Sequence, residues 1–210
     1  MASTLHKDPE AYWQRHSVRR YAMGQVTPNA AHHALVQLEI LFQSLERDFL
    51  LATQNVDNLH RRAGQRKIHE LHGNCFWLRC LDYQCPERER DETDPVFVSQ
   101  LKAPRCVACG NFLRPDMILF GEADERRWEG LNSFVTEGVD LVLLIGTSGV
   151  VSVPEKLLQF ISSTKQSPFI LEINPNPTED EAWGQGINGH LVMKAEEALP
   201  KLLGLLKAGV

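Results

Sequence analysis

Apolar residues along the chain first recur at helical spacing and later gather into short continuous runs. After the pair Pro28 and Asn29, apolar side chains repeat at helical intervals over residues 31–45, which predicts an amphipathic helix. Further helices are predicted after Pro154 and over residues 195–205, the last one packing back onto a sheet. Three apolar runs are typical of strands buried on both faces: residues 49–53, 141–145 and 168–173.

Each predicted strand ends in polar or glycine-bearing residues. These endings are Gln-Asn-Val-Asp-Asn at residues 54–58, Gly-Thr-Ser-Gly at 146–149 and Asn-Pro-Asn-Pro at 174–177. Strands that alternate with helices and end in such turns predict an α/β protein with a Rossmann-like, doubly wound parallel sheet. The ligand crevice of such a sheet lies at the carboxyl ends of its strands.

Residues 76–118 differ in character, because they are rich in charge, proline and cysteine. Cys80 and Cys85 are separated by four residues, Cys106 and Cys109 by two, and twenty residues lie between the pairs. This spacing is close to that of a zinc ribbon, in which four thiolates surround one ion. Four unrelated buried cysteines or two disulfides are the alternatives, and Cys75 is expected to be a small buried apolar residue.

Four thiolate ligands leave no open position on a zinc ion, so this zinc is expected to hold the segment together and not to catalyse. The segment is therefore interpreted as a small inserted zinc-ribbon lobe. It divides the chain into residues 1–75, a helical segment with the N-terminal part of the Rossmann-like domain; residues 76–118, the lobe; and residues 119–210, the C-terminal part of that domain.

The composition excludes some classes of function. The chain has 210 residues, of which 43% are hydrophobic, and a net charge of -5 with interspersed signs, so no general attraction to nucleic acid or membrane is expected. A nucleic-acid-binding zinc ribbon is disfavoured by the acidic residues around the cysteines. Apolar runs are too short for a membrane helix, and five cysteines suit a reduced compartment, so an intracellular location is expected, in cytoplasm, nucleus or mitochondrial matrix.

Short motifs follow one another in a particular order. They are Gln-Asn-Val-Asp-Asn-Leu-His at 54–60, Leu-His-Gly at 71–73, the two cysteine pairs, Arg-Pro-Asp-Met-Ile-Leu-Phe-Gly-Glu at 114–122, Gly-Thr-Ser at 146–148 and Ile-Asn at 173–174. In this order the chain resembles the sirtuins over about residues 13–205. The pattern is similar to that of sirtuin-5-like and bacterial deacylases. The resemblance implies bound NAD and zinc, an acyl-lysine protein or peptide substrate, and release of nicotinamide and O-acyl-ADP-ribose after deacetylation, desuccinylation or demalonylation.

The resemblance also assigns roles to single residues. His72 matches the catalytic histidine, an imidazole suits a base near neutral pH, and the adjacent Gly73 is expected to let substrate approach closely. His69 is expected to be structural. Contacts to NAD are implied for residues at the three strand ends, some of which are also suited to capping turns: Gln54, Asn55, Asp57, Gly146, Thr147, Ser148 and Asn174.

Substrate contacts are implied at two places. The peptide is expected to enter as an extended strand between residues 120–122, which are Phe120, Gly121 and Glu122, and residues 149–153, which include Val150. His16 and Arg19 lie where deacylases that prefer malonyl, succinyl or glutaryl groups carry a tyrosine and an arginine. Arg19 is suited to pair with an acyl carboxylate, and a solvated charge is its second interpretation, so the acyl preference stays open.

The chain departs from the family pattern at its beginning. Sirtuins open their cofactor domain with a strand and a glycine-rich loop that binds the pyrophosphate, whereas the first glycine here is Gly24 and no strand is predicted before it. We therefore expect the first strand-helix unit to be missing, and at most marginal turnover by these 210 residues. The alternative to an active deacylase is a catalytically impaired form that acts as a binding module.

Overall fold

The computed structural model describes residues 2–86, 89–90, 103–147, 153–177 and 186–209. The helices in these ranges are α1 (Ala2–Lys7), α2 (Pro9–Gln25), α3 (Ala30–Ser44), α4 (Leu59–Ala63), α5 (Arg126–Glu137), α6 (Val153–Ser163) and α7 (Ala195–Ala208). The strands are β1 (Leu51–Thr53), β2 (Ile68–Glu70), β3 (Gly73–Cys80), β4 (Glu89–Arg90), β5 (Leu113–Met117), β6 (Leu141–Ile145), β7 (Phe169–Ile173) and β8 (Gly189–Leu191). None of the helices in these ranges has the length and apolar character that a membrane crossing requires.

The described residues form two units. Unit 1 falls within residues 1–27, 52–62 and 68–127, and unit 2 falls within residues 28–51, 63–67 and 128–210. The three-segment division expected from the sequence stays a prediction.

Helix α2 packs on the antiparallel sheet of unit 1. Asp8 caps the start of this helix by accepting a backbone hydrogen bond at 3.0 Å. Tyr12 and Trp13, on its buried face, share one apolar cluster with Leu78 and Leu113 of the sheet. The Trp13 indole N–H donates to the Leu113 carbonyl oxygen at 2.7 Å, so the polar atom of this buried side chain is satisfied.

Strand β3 is the central strand of that sheet, whose order is β4-β3-β5. Its pairing with β5 runs from Gly73 opposite Met117 to Cys80 opposite Leu113. The strand is buried along nearly its whole length. Its two ends carry different chemistry, since Cys80 belongs to the four predicted zinc ligands and His72 directly precedes Gly73.

Unit 2 contains a parallel sheet in the order β6-β7-β8. β6 and β7 agree with the predicted strands to within one residue, whereas the three-residue strand β8 was not predicted. Helices α3 and α7 pack on this sheet, because Leu38 and Leu199 form one buried cluster with Ile173. The predicted α/β fold, its parallel sheet, the amphipathic helix and the last helix are thereby confirmed.

The strand expected at residues 49–53 begins two residues later, as β1, and pairs with β2 in a two-stranded sheet. The segment that leads to β2 is held by Glu39 of α3, whose side chain is buried. Its carboxylate accepts the backbone N–H groups of Arg66 and Lys67, each at 3.1 Å. A buried carboxylate needs such donors, so Glu39 orders the turn before β2.

Candidate functional site

Four cysteine sulfur atoms converge in unit 1. The Sγ atoms of Cys80, Cys85, Cys106 and Cys109 all lie within 4.8 Å of one another, with 3.4 Å between Cys80 and Cys109 and 3.6 Å between Cys85 and Cys106. In a tetrahedral site with Zn–S bonds of about 2.3 Å, sulfur atoms lie about 3.8 Å apart. All five cysteines are free thiols, so the disulfide alternative is wrong. The donor set and its spacing fit one zinc ion.

The backbone around the second cysteine pair forms a tight turn. The Cys106 N–H donates to the Asn111 carbonyl oxygen at 2.7 Å, and the Gly110 N–H donates to the Cys106 carbonyl oxygen at 2.8 Å. Hydrogen bonds from the backbone N–H groups of Cys109 and Ala108 lower the pKa of the Cys106 thiol to about 7. Burial raises the pKa of the Cys80 thiol to about 12. A zinc ion would hold both sulfur atoms as thiolates and so link β3 to this turn.

His72 lies in the turn between β2 and β3, with its ring half-buried. Its Nδ1 atom is 3.0 Å from the backbone carbonyl oxygen of Gln54. Because a carbonyl oxygen accepts and cannot donate, Nδ1 carries the hydrogen and Nε2 keeps its lone pair. The Ile118 N–H donates to the His72 carbonyl oxygen at 2.9 Å and fixes the backbone at this point. The imidazole is thus held in the tautomer that a general base on Nε2 requires.

The glycine after His72 is required by packing within the chain. Gly73 has φ +78°, and a Cβ atom placed there would lie 2.0 Å from the backbone carbonyl oxygen of Asp116. The sequence interpretation gave substrate approach as the reason for this glycine, and the structure corrects it, because the atoms that approach closely belong to β5. His69 contacts the backbone carbonyl oxygen of Arg127, in agreement with a structural role.

The polar residues between β1 and α4 form a turn beside His72. The Asn55 N–H donates to Thr53 Oγ1 at 3.1 Å, and Asp57 Oδ1 accepts the Leu59 N–H at 2.9 Å. These side chains therefore do cap the turn, which is the alternative role that the sequence analysis gave them. Gln54 and Asp57 remain half-buried, and Asn55 is exposed. The structure therefore places these three candidate cofactor residues in the same unit as the histidine.

The candidates of unit 2 meet at the carboxyl ends of β6 and β7. The Gly146 N–H donates to the Ile173 carbonyl oxygen at 2.9 Å, and Gly146 has φ +60°. Asn174 is buried, and its side-chain amide donates to the Thr147 carbonyl oxygen at 2.9 Å. The Asn174 side chain thus ties two strand ends together. Ser148 lies outside the described residues.

An ion pair between Arg114 and Glu122 holds one candidate peptide-binding segment, residues 120–122. Arg114 donates to both carboxylate oxygens of Glu122, at 2.6 and 2.7 Å. Burial opposes ionisation of this carboxyl, but the Arg114 hydrogen bonds outweigh it and lower the pKa of Glu122. Phe120 is 84% exposed, and Gly121 has φ +90°. Val150, on the opposite side of the expected peptide, lies outside the described residues.

The two candidate acyl-selective residues on α2 differ in their surroundings. The His16 ring is buried and stacks on Tyr12 with 5.4 Å between centroids, whereas the Arg19 side chain is exposed. Burial, together with the nearby charge of Arg20, lowers the pKa of His16 to about 4. The structure therefore does not bring His16 and Arg19 into one environment. Cys75 is also buried and lies outside the four-cysteine cluster, as expected.

The sequence analysis missed two buried polar residues that flank His72 along the chain, Glu70 and Asn74. Asn74 is fully buried, and the Glu70 side chain is 8% exposed and paired with Arg61. The one available signal for Asn74 was an amide residue at the start of a strand that is otherwise largely apolar. That signal does not identify the hydrogen-bond partners of Asn74, because folding brings them together.

The fold and the two sites define a class: a Rossmann-like α/β protein with a four-cysteine zinc lobe. A sequence model of the Sir2 family matches residues 1–153. A protein of Leptospira interrogans named NAD-dependent protein deacylase is 35% identical over 199 residues, which are 94% of this chain and 75% of that protein. A protein of the same name from Thermococcus kodakarensis is 36% identical over 204 residues, 96% of this chain and 75% of its own length.

Solved structures agree with these sequence matches. The crystal structure of a Sir2 homologue in complex with NAD superposes with a TM-score of 0.76 at 28% identity, covering 100% of this chain and 76% of that one. The chain belongs to the Sir2 family, and its resemblance to sirtuins is confirmed.

Proposed function

We propose that this protein is an NAD-dependent protein-lysine deacylase in which His72 is the general base. The observation that carries the proposal is the hydrogen bond from His72 Nδ1 to the Gln54 carbonyl oxygen, at 3.0 Å, which leaves Nε2 as an acceptor. Similarity to proteins named NAD-dependent protein deacylase supports the same reaction.

The residues act on a cosubstrate that supplies the leaving group. NAD, when bound, offers a ribose carbon whose bond to nicotinamide breaks as the acyl oxygen of the substrate lysine attacks it. His72 Nε2 would accept the proton of a ribose hydroxyl, so that the ribose oxygen attacks the acyl carbon. Addition of water would then break the bond between that carbon and the lysine nitrogen, which releases the lysine amine and O-acyl-ADP-ribose. The His72 Nδ1–H group keeps its hydrogen bond to the Gln54 carbonyl oxygen throughout, and this hydrogen bond stabilises the imidazolium that proton transfer creates.

Binding of NAD is proposed for the two sets of polar residues. Asn55 and Asp57, with Gln54, are assigned to the nicotinamide and its ribose, because an exposed amide and a half-buried carboxylate supply the acceptors and donors that these groups need. The phosphate and adenosine end of NAD is assigned to the second set: Gly146, Thr147, Ser148 and Asn174. This assignment is supported by the position of the described members of the set, which lie at the carboxyl ends of parallel strands.

Zinc has a structural role in this proposal. The four thiolates would hold the ion closed to water, so no catalytic step is assigned to it. The acyl-lysine peptide is proposed to lie along residues 120–122, where Glu122 is held by Arg114 and the Phe120 ring is exposed. Arg19 is proposed as the partner of a carboxylate-bearing acyl group because its side chain is exposed, and the buried His16 contributes packing.

The test is a single-turnover assay with the protein in excess over an acetyl-lysine or succinyl-lysine peptide and saturating NAD. We expect one nicotinamide released per lysine deacylated. His72→Ala should lower the rate by about a hundredfold or more, the scale of general base catalysis. His33→Ala, which removes an exposed imidazole from α3, should leave the rate unchanged. Arg19→Gln should lower desuccinylation and leave deacetylation unchanged.

The outcomes separate the candidates. Peptide binding by calorimetry without any release of nicotinamide would favour the binding-module alternative and reject the deacylase. An unchanged rate in His72→Ala would remove this histidine from the mechanism. Equal loss of both activities in Arg19→Gln would reject the assignment of Arg19 to the acyl carboxylate.

A further inference from the structure

Three hydrogen bonds join residues 72, 74 and 75, around the start of β3, to the turn that carries the proposed nicotinamide contacts. His72 Nδ1 donates to the Gln54 carbonyl oxygen at 3.0 Å, and the Cys75 N–H donates to the Val56 carbonyl oxygen at 2.9 Å. Between these two, the Asn74 side chain donates to Asn58 Oδ1 at 2.9 Å. The turn over residues 54–58 is therefore fastened to the histidine-bearing strand at its start, middle and end.

Asn74 uses both amide hydrogens and its amide oxygen in hydrogen bonds at a site that is closed to solvent. The residue is 0% exposed. Its amide nitrogen donates to Asn58 Oδ1 at 2.9 Å and to Glu70 Oε1 at 2.8 Å, and its oxygen accepts the Phe76 N–H at 3.0 Å. Two acceptors on one side and a donor on the other match an amide, since a carboxylate or hydroxyl cannot supply two donors and an acceptor in that arrangement.

The network continues to the helix that follows the turn. Glu70 Oε2 accepts from the Arg61 guanidinium at 3.0 Å, and this guanidinium lies 4.7 Å from the centroid of the Trp77 ring. Glu70 is thus a fixed acceptor and not a mobile one, because a charged and stacked partner holds its second oxygen. The Asn74 amide is bound between a rigid carboxylate and the far end of the turn.

Asn58 sits in a conformation that makes its side chain a precise anchor point. Its φ is +64°, in the left-handed region, where asparagine is tolerated better than most residues. It directly follows Asp57, whose carboxylate caps α4 by accepting the Leu59 N–H at 2.9 Å. Movement of Asn58 would therefore shift the Asp57 carboxylate and, through the turn, the Gln54 carbonyl oxygen that orients His72.

We propose that Asn74 is a positioning residue, acting through Asn58, that sets the distance between the His72 imidazole and the Asn55–Asp57 contacts; this inference rests on the proposed deacylase function. Asn74 touches no reacting atom in this assignment. Its effect is to remove freedom from a turn whose polar side chains must meet one ligand, and loosening such a turn by about 1 Å costs up to about a hundredfold in rate.

Two substitutions isolate the contact. Asn58→Gly removes the acceptor while keeping a residue that accepts positive φ, so no backbone strain is added. Asn74→Asp keeps the shape and the acceptor for Phe76 but sets a carboxylate against Glu70. The matched control is Val135→Ala on α5, a buried apolar truncation that lowers stability without touching this network.

The experiment compares single-turnover rate, apparent affinity for NAD and thermal midpoint in these variants. We expect a ten- to a hundredfold lower rate in Asn58→Gly and in Asn74→Asp, at saturating NAD and at temperatures well below each midpoint. Val135→Ala should lose thermal stability and keep its rate. The double variant Asn58→Gly/Asn74→Asp should be no slower than the slower single variant, because both changes break the same contact.

A second readout does not depend on turnover. Amide hydrogen exchange over residues 54–59 should speed up in both network variants and stay unchanged in Val135→Ala. Wild-type rate and unchanged exchange in Asn58→Gly would overturn the positioning role while leaving the deacylase proposal standing. If the rates of all variants, including Val135→Ala, fall in proportion to thermal stability, Asn74 has only a structural role and the positioning role is rejected. Absence of turnover by the unmodified chain would overturn the proposed function and this inference with it.

Discussion

Burial decides the protonation state of His16. The side chain is 7% exposed and packs between the Tyr12 and Trp13 rings, with centroids 5.4 Å from each. Removing an imidazolium from water is costly, and the nearby Arg20 charge adds repulsion, so the pKa of His16 falls from its ordinary 6.5 to about 4. The folded protein therefore holds this histidine neutral at pH 7 and resists protonation that the unfolded chain accepts.

The first prediction is a loss of stability in mild acid that depends on His16. Because the folded pKa lies below the unfolded one, the stabilisation is fully present above about pH 6.5 and disappears as the pH falls towards about 4. Between pH 7.5 and pH 5 the chain should lose about 2 kcal/mol through this residue. His16→Phe keeps an aromatic ring and cannot titrate, so urea unfolding at the two pH values should show a loss smaller by that amount. Equal losses in both proteins would contradict the low pKa.

Site residues that belong to a short sequence motif were easier to predict than buried polar residues whose hydrogen-bond partner is distant in the chain. The four zinc cysteines follow from their spacing along the chain, and their sulfur atoms converge in the structure. His72 was identified by its match to the catalytic histidine of sirtuins, and its role stays a proposal. Asn74 and Glu39 had no such signal, because the Asn58 acceptor is 16 residues from Asn74 and the Arg66 N–H is 27 residues from Glu39. A buried polar side chain is explained by where its partner lies in space, which a single sequence does not state.

At the scale of elements, the close approach of β3 and β5 fixes the backbone of the turn that carries His72. Gly73 lies opposite Met117 in the antiparallel pairing, and the Asp116 carbonyl oxygen occupies the space of a missing side chain. The Ile118 N–H then bonds to the His72 carbonyl oxygen, one step beyond the last paired residues. The strand pairing therefore sets the position of the His72 backbone, and the Gln54 carbonyl oxygen sets the direction of its ring.

The second prediction compares two glycines with nearly the same backbone. Gly73 has φ +78° and would place a Cβ atom 2.0 Å from a carbonyl oxygen, whereas Gly110 has φ +74° and nothing within 4 Å. Gly110→Ala should cost about 1 kcal/mol, the cost of the left-handed region alone. Gly73→Ala should cost about 3 kcal/mol or more, since backbone must shift as well. Equal unfolding free energies for the two variants would show that the β3–β5 approach tolerates a side chain.

Elements with a clear apolar pattern were predicted better than the others, and the eight-residue strand β3 was not predicted. β6 is an apolar run of five residues and matches its predicted bounds, and α3 shows the helical spacing of its apolar residues. β2 and β8 have three residues each, which is too few for a periodic pattern, and they exist because neighbouring strands offer them hydrogen-bond partners. β1 is shorter than its apolar run, since Phe49 packs beside α3 and α7 and not within a strand.

At the scale of the whole chain, each unit has its own core. The core of unit 1 joins α1, α2 and the β3–β5 sheet, and three zinc cysteines are part of it: Cys80, Cys85 and Cys106. The core of unit 2 joins α3 and α7 to the parallel sheet and includes no cysteine among its described residues. Zinc is therefore expected to contribute to the stability of unit 1 directly, because its ligands are packed among the apolar side chains that hold α2.

The last prediction is that removing zinc unfolds unit 1 and leaves the core of unit 2 folded. The purified protein should contain one zinc ion per chain, and a structural zinc ion contributes on the order of 10 kcal/mol to folding. A strong chelator should therefore abolish amide protection in α2, whose Trp13 and Tyr12 lie in the cysteine-containing core, while α3 and β7 keep theirs. Cys109→Ser, which changes the exposed ligand and little packing, should lose zinc and show the same pattern without chelator. Cys75→Ala, a change at a buried cysteine outside the cluster, should keep zinc and protection in α2. Folded protein that contains no zinc before treatment, or full protection of α2 after chelation, would reject the metal site, because the four sulfur atoms would then hold the lobe together without an ion.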